Sequence, residues 1–280
     1  MQEYRTVREL RGVLDDVRRR GERVGMVGTS GALHEGHLSL VRRSAAENDV
    51  TVMFWGGSGS FKWMASQIDY ARDFARDMAL AEEAGLEAVF APYDKEFFPR
   101  EPMTRVSLPA LSSGLPVLEN PAHLDLIAMV MCKLWNMFGP CRSYFGEKDW
   151  QQLAMFKRLA DDLCWPVEVI GCPTLRHPDG LAVSSRNGQL TPEEREQAPA
   201  LYRGLCAARD AAAAGERSAG AVARVFEDTL AGYGRVQCFN AVEADTMAPL
   251  DTLAGSVRFL ASIQLGSVRL VDNVGVVVDA

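Results

Sequence analysis

Two rhythms of apolar residues alternate along the first part of the chain: short continuous runs, which predict buried strands, and three-to-four spacings, which predict amphipathic helices. Thr6-Val7-Arg8-Glu9 is a capping-box pattern opening a charged helix that reaches to about Arg20. Val24-Gly25-Met26-Val27 then reads as a buried parallel strand, and 38–46 has helical spacing, with a glycine-bearing turn between them. A second apolar run at 50–55 leads into Gly56-Gly57-Ser58-Gly59-Ser60-Phe61, a loop with an unusually free backbone. A helix over 69–84, ended by Gly85, and a third strand at 86–91 follow. The proline-bearing segment 93–120 carries no clear period and is expected to be irregular. Beyond it come a buried helix over 127–138 with Lys133 and Asn136, a short strand at 143–145, a glycine turn into a helix at 146–152, and a fifth strand at 166–170.

Strand followed by helix, repeated, predicts a parallel sheet covered on both faces. After about Thr174 the order changes. Arg176-His177-Pro178-Asp179-Gly180 is rich in turn residues and suits a hinge between domains. Thr191-Pro192-Glu193-Glu194 then supplies an N-cap, a proline at the first helical position and first-turn acids. Helices over 192–214 and 218–231 precede strand-like runs at 236–242, 257–263 and 269–273, the order of a small α+β domain with an antiparallel sheet. The expected fold class is therefore α/β over 1–174, with a smaller C-terminal α+β domain over 175–280.

Composition narrows the functional classes. The 280 residues are 48% hydrophobic and 24% charged, with a net charge of −7, the profile of a globular protein without a broad nucleic-acid surface. Met1–Arg5 lacks the apolar core of a signal peptide and no run approaches the length of a membrane span, so the expected address is cytoplasmic, with no membrane partner. The six cysteines form no CxxC pair and are expected to be reduced, buried thiols.

The candidate chemistry starts at Gly28-Thr29-Ser30-Gly31-Ala32-Leu33-His34-Glu35-Gly36-His37. A loop between a parallel strand and a helix N-terminus offers backbone N–H groups and a helix dipole to an anion, and two histidines three apart add imidazoles there. A single histidine in such a turn reads as a cap or a packing residue. Here two of the chain's four histidines share the turn, which points to a triphosphate. In a parallel sheet the loops 28–37 and 56–61 are expected to line one pocket. Lys148, after Gly146, is either a surface residue or a point charge for phosphate. Ser184-Ser185-Arg186 is either a polar turn or a segment that closes over a nucleotide. Asp77 reads as a weak metal-binding candidate or a solvated helix residue.

The blocks Gly31-Ala32-Leu33-His34-Glu35-Gly36-His37-Leu38-Ser39-Leu40, Tyr144-Phe145-Gly146-Glu147-Lys148-Asp149-Trp150-Gln151-Gln152 and Asp179-Gly180-Leu181-Ala182-Val183-Ser184-Ser185-Arg186-Asn187 resemble the three signature blocks of the pantothenate synthetase family. The closing stretch from Leu265 to Asn273 is also similar to that family's last strand, and the likeness runs over essentially the whole chain. The resemblance implies an HxGH-type Rossmann-like nucleotide- and substrate-binding domain followed by a C-terminal lid domain. It implies a two-step ligation with ATP and Mg2+, the metal held through ATP rather than by protein ligands. It further implies His34, His37 and Lys148 as catalytic residues, and Gly31, Gly146, Asp149, Ser184, Ser185 and Arg186 as further ATP contacts. Thr29, Ser30, Gly57, Ser60, His123 and Gln152 are implied for the acid and amine, and a homodimer for the assembly.

Departures from the family pattern cluster on the acid side. The family's Pro-Thr-Met-Gly is here Gly28-Thr29-Ser30-Gly31, and its Asn-Pro-x-Gln-Phe aligns to place Gly57 at the asparagine and Ser60 at the glutamine. Its Arg-Pro-x-His-Phe-x-Gly is here Asn120-Pro121-Ala122-His123-Leu124-Asp125-Leu126. These changes lead us to expect an acid–amine ligase of this type with an altered acid or amine. The alternatives are an ordinary ligase of pantoate and β-alanine, a nucleotidyltransferase that stops at adenylyl transfer, and a non-catalytic nucleotide-binding relative.

Overall fold

The runs of Val, Met, Phe and Trp in the first part of the chain have no polar alternation, as expected of strands buried on both faces. In the computed structural model of the chain, which describes residues 1–56, 73–112 and 121–279, they lie within a six-stranded, wholly parallel sheet. Its strands are β1 (Gln2–Tyr4), β2 (Val24–Thr29), β3 (Val50–Trp55), β4 (Ala88–Phe90), β5 (Cys141–Gly146) and β6 (Val167–Cys172), in spatial order β1-β4-β3-β2-β5-β6. The strand order reverses about β2, and β2 and β3 end level with each other: Thr29 stands beside Trp55, and Gly56 N donates to Thr29 O at 2.8 Å.

The helices begin where their caps place them. α1 (Val7–Arg19) starts on a complete capping box, with the Thr6 hydroxyl accepting from Glu9 N and the Glu9 carboxylate from Thr6 N. α2 (Glu35–Glu47) packs directly on β2 because Gly25 has no side chain: a Cβ there would overlap Ser44 Oγ and lie 2.8 Å from Asn48 Nδ2. Ser44, Asn48 and Thr51 are buried and bonded to one another and to the Tyr144 hydroxyl, which seats the C-terminal half of α2 on the sheet. α3 (Phe74–Glu83) is capped by Asp73 and ends at Gly85, whose φ of 92° supplies the left-handed turn. The other helices are α4 (Asp94–Phe97), α5 (Pro109–Ser112), α6 (Pro121–Phe138), α7 (Trp150–Asp162), α8 (Pro192–Gln197), α9 (Ala200–Ala213) and α10 (Ala219–Thr229).

The last strands, β7 (Arg235–Glu243), β8 (Gly255–Leu265) and β9 (Val268–Val278), form a separate antiparallel sheet, with β8 and β9 joined through a tight hairpin at Gly266. Its core is Leu201, Leu205, Val222, Phe226, Phe259 and Ile263.

The chain divides into two compact units, one holding residues 1–107, 125–147 and 156–173, the other 108–124, 148–155 and 174–280. Among the described residues no helix is long and apolar enough to cross a membrane. Three local readings of the sequence change. Gln2–Tyr4 is an edge strand without an apolar run, held by backbone pairing to Ala88–Phe90. The predicted helix over 192–214 breaks at Ala198-Pro199, since a proline inside it has no N–H for the ladder. Segment 93–120 holds the short helices α4 and α5.

Candidate active site

In the first unit the site begins where β2 ends. Thr29 is buried and its hydroxyl accepts from Gly31 N at 3.1 Å, so the chain turns at once. Gly31 and Ala32 both have left-handed backbones, with φ of 95° and 55°. For alanine that conformation costs on the order of 1–2 kcal/mol, so something must hold it. The holder is Asp77 on α3. Its Oδ2 accepts from Ala32 N at 2.9 Å and from Trp55 Nε1 at 2.9 Å, and its Oδ1 accepts from Leu33 N at 2.8 Å. Asp77 is 0% exposed and both its oxygens are engaged, so it is neither a solvated helix residue nor a metal ligand as it stands.

His34 is the N-cap of α2. Its Nδ1 accepts from Gly36 N at 3.1 Å, which requires an unprotonated Nδ1 and leaves the neutral ring's proton on Nε2. His37 follows one turn on, and the two rings stack with centroids 4.0 Å apart and planes 28° off parallel. Two imidazoles thus stand together at the positive end of a 13-residue helix. Glu35 beside them is paired with Arg42, whose hydrogen bond holds its carboxyl below the usual range, so this acid is already matched by a cation of the same helix. Ser30 is half-buried in the same turn, and Gly57 and Ser60 lie outside the described residues. Gly146 closes β5, and a Cβ built there would meet nothing within 4 Å.

In the second unit a cleft is lined by Lys148, Ser184, Arg186, Asn187, Tyr202 and Asp272, among others. Lys148 lies in a 3-10 turn, Glu147–Asp149, with its Nζ 3.3 Å from Asp149 Oδ1. The turn bearing Ser184–Arg186 is pinned at its base by a bridge between Arg176 and Ala182 and by Asn187 Nδ2 donating to Ala182 O at 2.9 Å. Ser184 caps the 3-10 helix Ser185–Gln189 through its hydroxyl, which accepts from Arg186 N at 3.3 Å. His123, near the start of α6, shares the electrostatic field of this unit: burial first, then Arg186, pushes its pKa down, against a smaller opposing pull from Asp149. Of the glutamine pair on α7, Gln151 is buried and donates through Nε2 to Leu111 O at 2.9 Å, whereas Gln152 is half-buried.

The structure therefore groups Thr29, Ser30, Gly31, His34, His37 and Gly146 in the first unit, and His123, Lys148, Asp149, Gln152, Ser184, Ser185 and Arg186 in the second. Sequence reasoning missed Arg176 and Asp272. The Arg176 guanidinium makes two bonds to the buried Asp272 carboxylate, at 2.5 and 3.0 Å, and lies 3.7 Å from the Tyr202 ring centre. The available signal was the Leu265–Asn273 block, whose likeness to the family had no role attached.

Comparison with known proteins identifies the family. The profile of the Pantoate-beta-alanine ligase family matches residues 2–275. Pantothenate synthetase 1 of Frankia alni is 46% identical over 280 residues, covering 96% of each chain. The pantothenate synthetase of Cereibacter sphaeroides is 44% identical over 274 residues, 97% of this chain and 98% of that one. The crystal structure of the Thermus thermophilus pantothenate synthetase matches with a TM-score of 0.87 at 38% identity, covering 98% of this chain and 99% of the other. The Francisella tularensis pantoate-beta-alanine ligase, complexed with beta-gamma ATP and beta-alanine, matches with a TM-score of 0.77 at 25% identity, over 98% and 97%. The chain belongs to the pantoate–β-alanine ligase family, the ATP-dependent pantothenate synthetases.

Proposed function

We propose that this chain joins pantoate to β-alanine in two steps. A pantoate carboxylate oxygen attacks the α-phosphorus of Mg-ATP, the bond to the β-phosphate oxygen breaks and pyrophosphate leaves. The β-alanine amine then attacks the acyl carbon of the adenylate, AMP leaves with the bonding pair, and loss of the amine proton gives the amide. The observation that carries this reading is the stacked His34–His37 pair at the N-terminus of α2, directly behind a buried parallel strand. In-line attack on phosphorus needs positioning and charge neutralisation more than covalent help, and imidazole N–H groups at a helix N-terminus supply both.

In this reading His34 and His37 contact the phosphates with Gly31, Lys148 joins them as a point charge, and Ser184, Ser185 and Arg186 grip the phosphates. Gly146 and Asp149 hold the ribose. The open space above Gly146 supports that role, because no protein atom there demands a glycine. Gln152, His123, Thr29 and Ser30 are assigned to the acid and amine, together with Gly57 and Ser60. Mg2+ enters as part of the Mg-ATP substrate; the Asp77 oxygens are taken by N–H donors, and no cluster of three His, Cys, Asp or Glu side chains suited to a metal is present among the described residues. A homodimer in the cytoplasm belongs to the same proposal and rests on the family resemblance.

Relatives at 44–46% identity that bear the name pantothenate synthetase support the ordinary substrate pair over an altered acid. The replacements at Ser30, Gly57 and Ser60 keep the altered acid as the competing reading. ATP–pyrophosphate exchange with a panel of hydroxy, keto and amino acids, with and without β-alanine, separates them. Pantoate is expected to support the fastest exchange and β-alanine to release AMP. A different acid winning tenfold would overturn the assignment, and no exchange with any acid would remove the ligase reading altogether. Replacing His37 by alanine is expected to abolish exchange in a folded protein.

A further inference from the structure

The block Leu265–Asn273 ends in two buried polar residues, Asp272 and Asn273, on β9. Asn273 reaches out of its strand to the turn bearing Lys148: its Nδ2 donates to Lys148 O at 2.8 Å. Its Oδ1 accepts from Arg258 Nη1 at 3.2 Å, and the Arg258 guanidinium lies 3.3 Å from the ring centre of Trp150, the first residue of α7. Trp150 in turn donates through Nε1 to Ala244 O at 2.8 Å. Asn273 is itself locked, because its N–H donates to Asp272 Oδ1 at 2.8 Å while Asp272 takes the two bonds from Arg176. Arg176 also donates to Gly180 O at 3.2 Å, within the turn that leads to Ser184–Arg186. One dipeptide of β9 thus connects both to the turn bearing Lys148 and to the turn that leads to Ser184–Arg186, by side-chain bonds 125 and 96 residues apart in sequence.

We infer that Asn273, held by Asp272, is a positioning residue for Lys148: its amide fixes the backbone from which the Lys148 ammonium is presented. The inference rests on the proposed phosphate role of Lys148. An exposed lysine turn needs no buried amide on its carbonyl, whereas a lysine that must meet one phosphate oxygen does. A displacement of about 1 Å at such a group costs on the order of 100-fold in rate.

The test is a double-mutant cycle on pantoate-dependent ATP–pyrophosphate exchange, with Lys148→Ala, Asn273→Ala and the double variant, each checked for folding by circular dichroism. Asn273→Ala is expected to lower the exchange rate about 10- to 100-fold. The KM for β-alanine stays unchanged, and the substitution adds nothing in the Lys148→Ala background, as befits two residues acting as one unit. A residue of merely structural importance would slow both half-reactions and would multiply with Lys148→Ala. Should Asn273→Ala fail to fold, Asn273→Asp carries the test, because it keeps the acceptor for Arg258 and sets an oxygen against the Lys148 carbonyl. Exchange within twofold of the parent in the folded Asn273 variants, or effects that multiply, would overturn the inference while leaving the Lys148 reading intact. A Lys148→Ala protein with parental exchange would instead remove the reading on which the inference stands, and the inference with it.

Discussion

Replacing Asp77 by asparagine changes one atom and tests how the histidine turn is held. The carboxylate accepts three N–H donors, two at Oδ2 and one at Oδ1. An asparagine amide has one accepting atom. With its oxygen toward Ala32 and Trp55, its NH2 faces Leu33 N–H; flipped, the NH2 faces the other two donors. The better orientation loses one bond to a charged acceptor, about 1.5–3 kcal/mol, and weakens the two it keeps. Removing a fully buried charge recovers part of this through relieved desolvation, so the net cost is set at about 2–3 kcal/mol. At roughly 2–4 °C per kcal/mol for a protein of this class, the melting temperature falls by about 4–12 °C. Ala32 simultaneously loses the clamp on its left-handed backbone, so exchange activity is expected to fall by about 10-fold or more as His34 loses its fixed place. Urea and thermal unfolding with an exchange assay read both effects. An Asp77→Asn protein with parental midpoint and parental rate would refute the clamp.

Gly146→Ala is expected to leave stability unchanged or raise it by up to about 1 kcal/mol, because the added methyl meets no protein atom, while the KM for ATP rises; a KM equal to the parent's would show that no ligand approaches there. Burial pushes the Cys132 and Cys141 thiols up to about 11 and about 12, so both should resist a thiol reagent at pH 8 in the native state while the exposed Cys164 reacts first, as peptide mapping after a short pulse would read. His123 has its pKa lowered from the ordinary 6.5 by burial and by Arg186, so the unfolded chain takes up this proton more readily than the folded one. Its contribution to stability is complete above pH 6.5 and is lost as pH falls from there through the folded value, so His123→Gln should flatten the urea midpoint against pH below 6.5; parallel curves for the two proteins would sink this account.

The sequence makes local chemistry legible and distant partnership opaque. The strand–turn–helix around His34 and His37 can be read because strand, glycines and histidines are contiguous, and the capping boxes at Thr6 and Thr191 because their partners lie three residues on. The strand at Gln2–Tyr4 cannot, since its stability comes from pairing with Ala88–Phe90 rather than from its own side chains. Asp77 is opaque for the same reason: the three N–H donors it accepts from belong to Trp55 and the Ala32–Leu33 turn, brought in from 22 to 45 residues away. The single long helix predicted over 192–214 fails for a different reason, because Pro199 is visible in the sequence and local backbone chemistry alone accounts for the break.

The missing side chain at Gly25 has a reach beyond its own contact. It lets Ser44 and Asn48 settle against β2 near the C-terminal end of α2, and His34 lies ten residues up the same helix, about 15 Å away along its axis. A rigid rod seated at one end aims the other. The bearing of the two imidazoles is therefore set partly by the absence of one methyl group at the opposite end of the helix, and variants that enlarge Gly25 are expected to register as losses of alignment at the histidine pair.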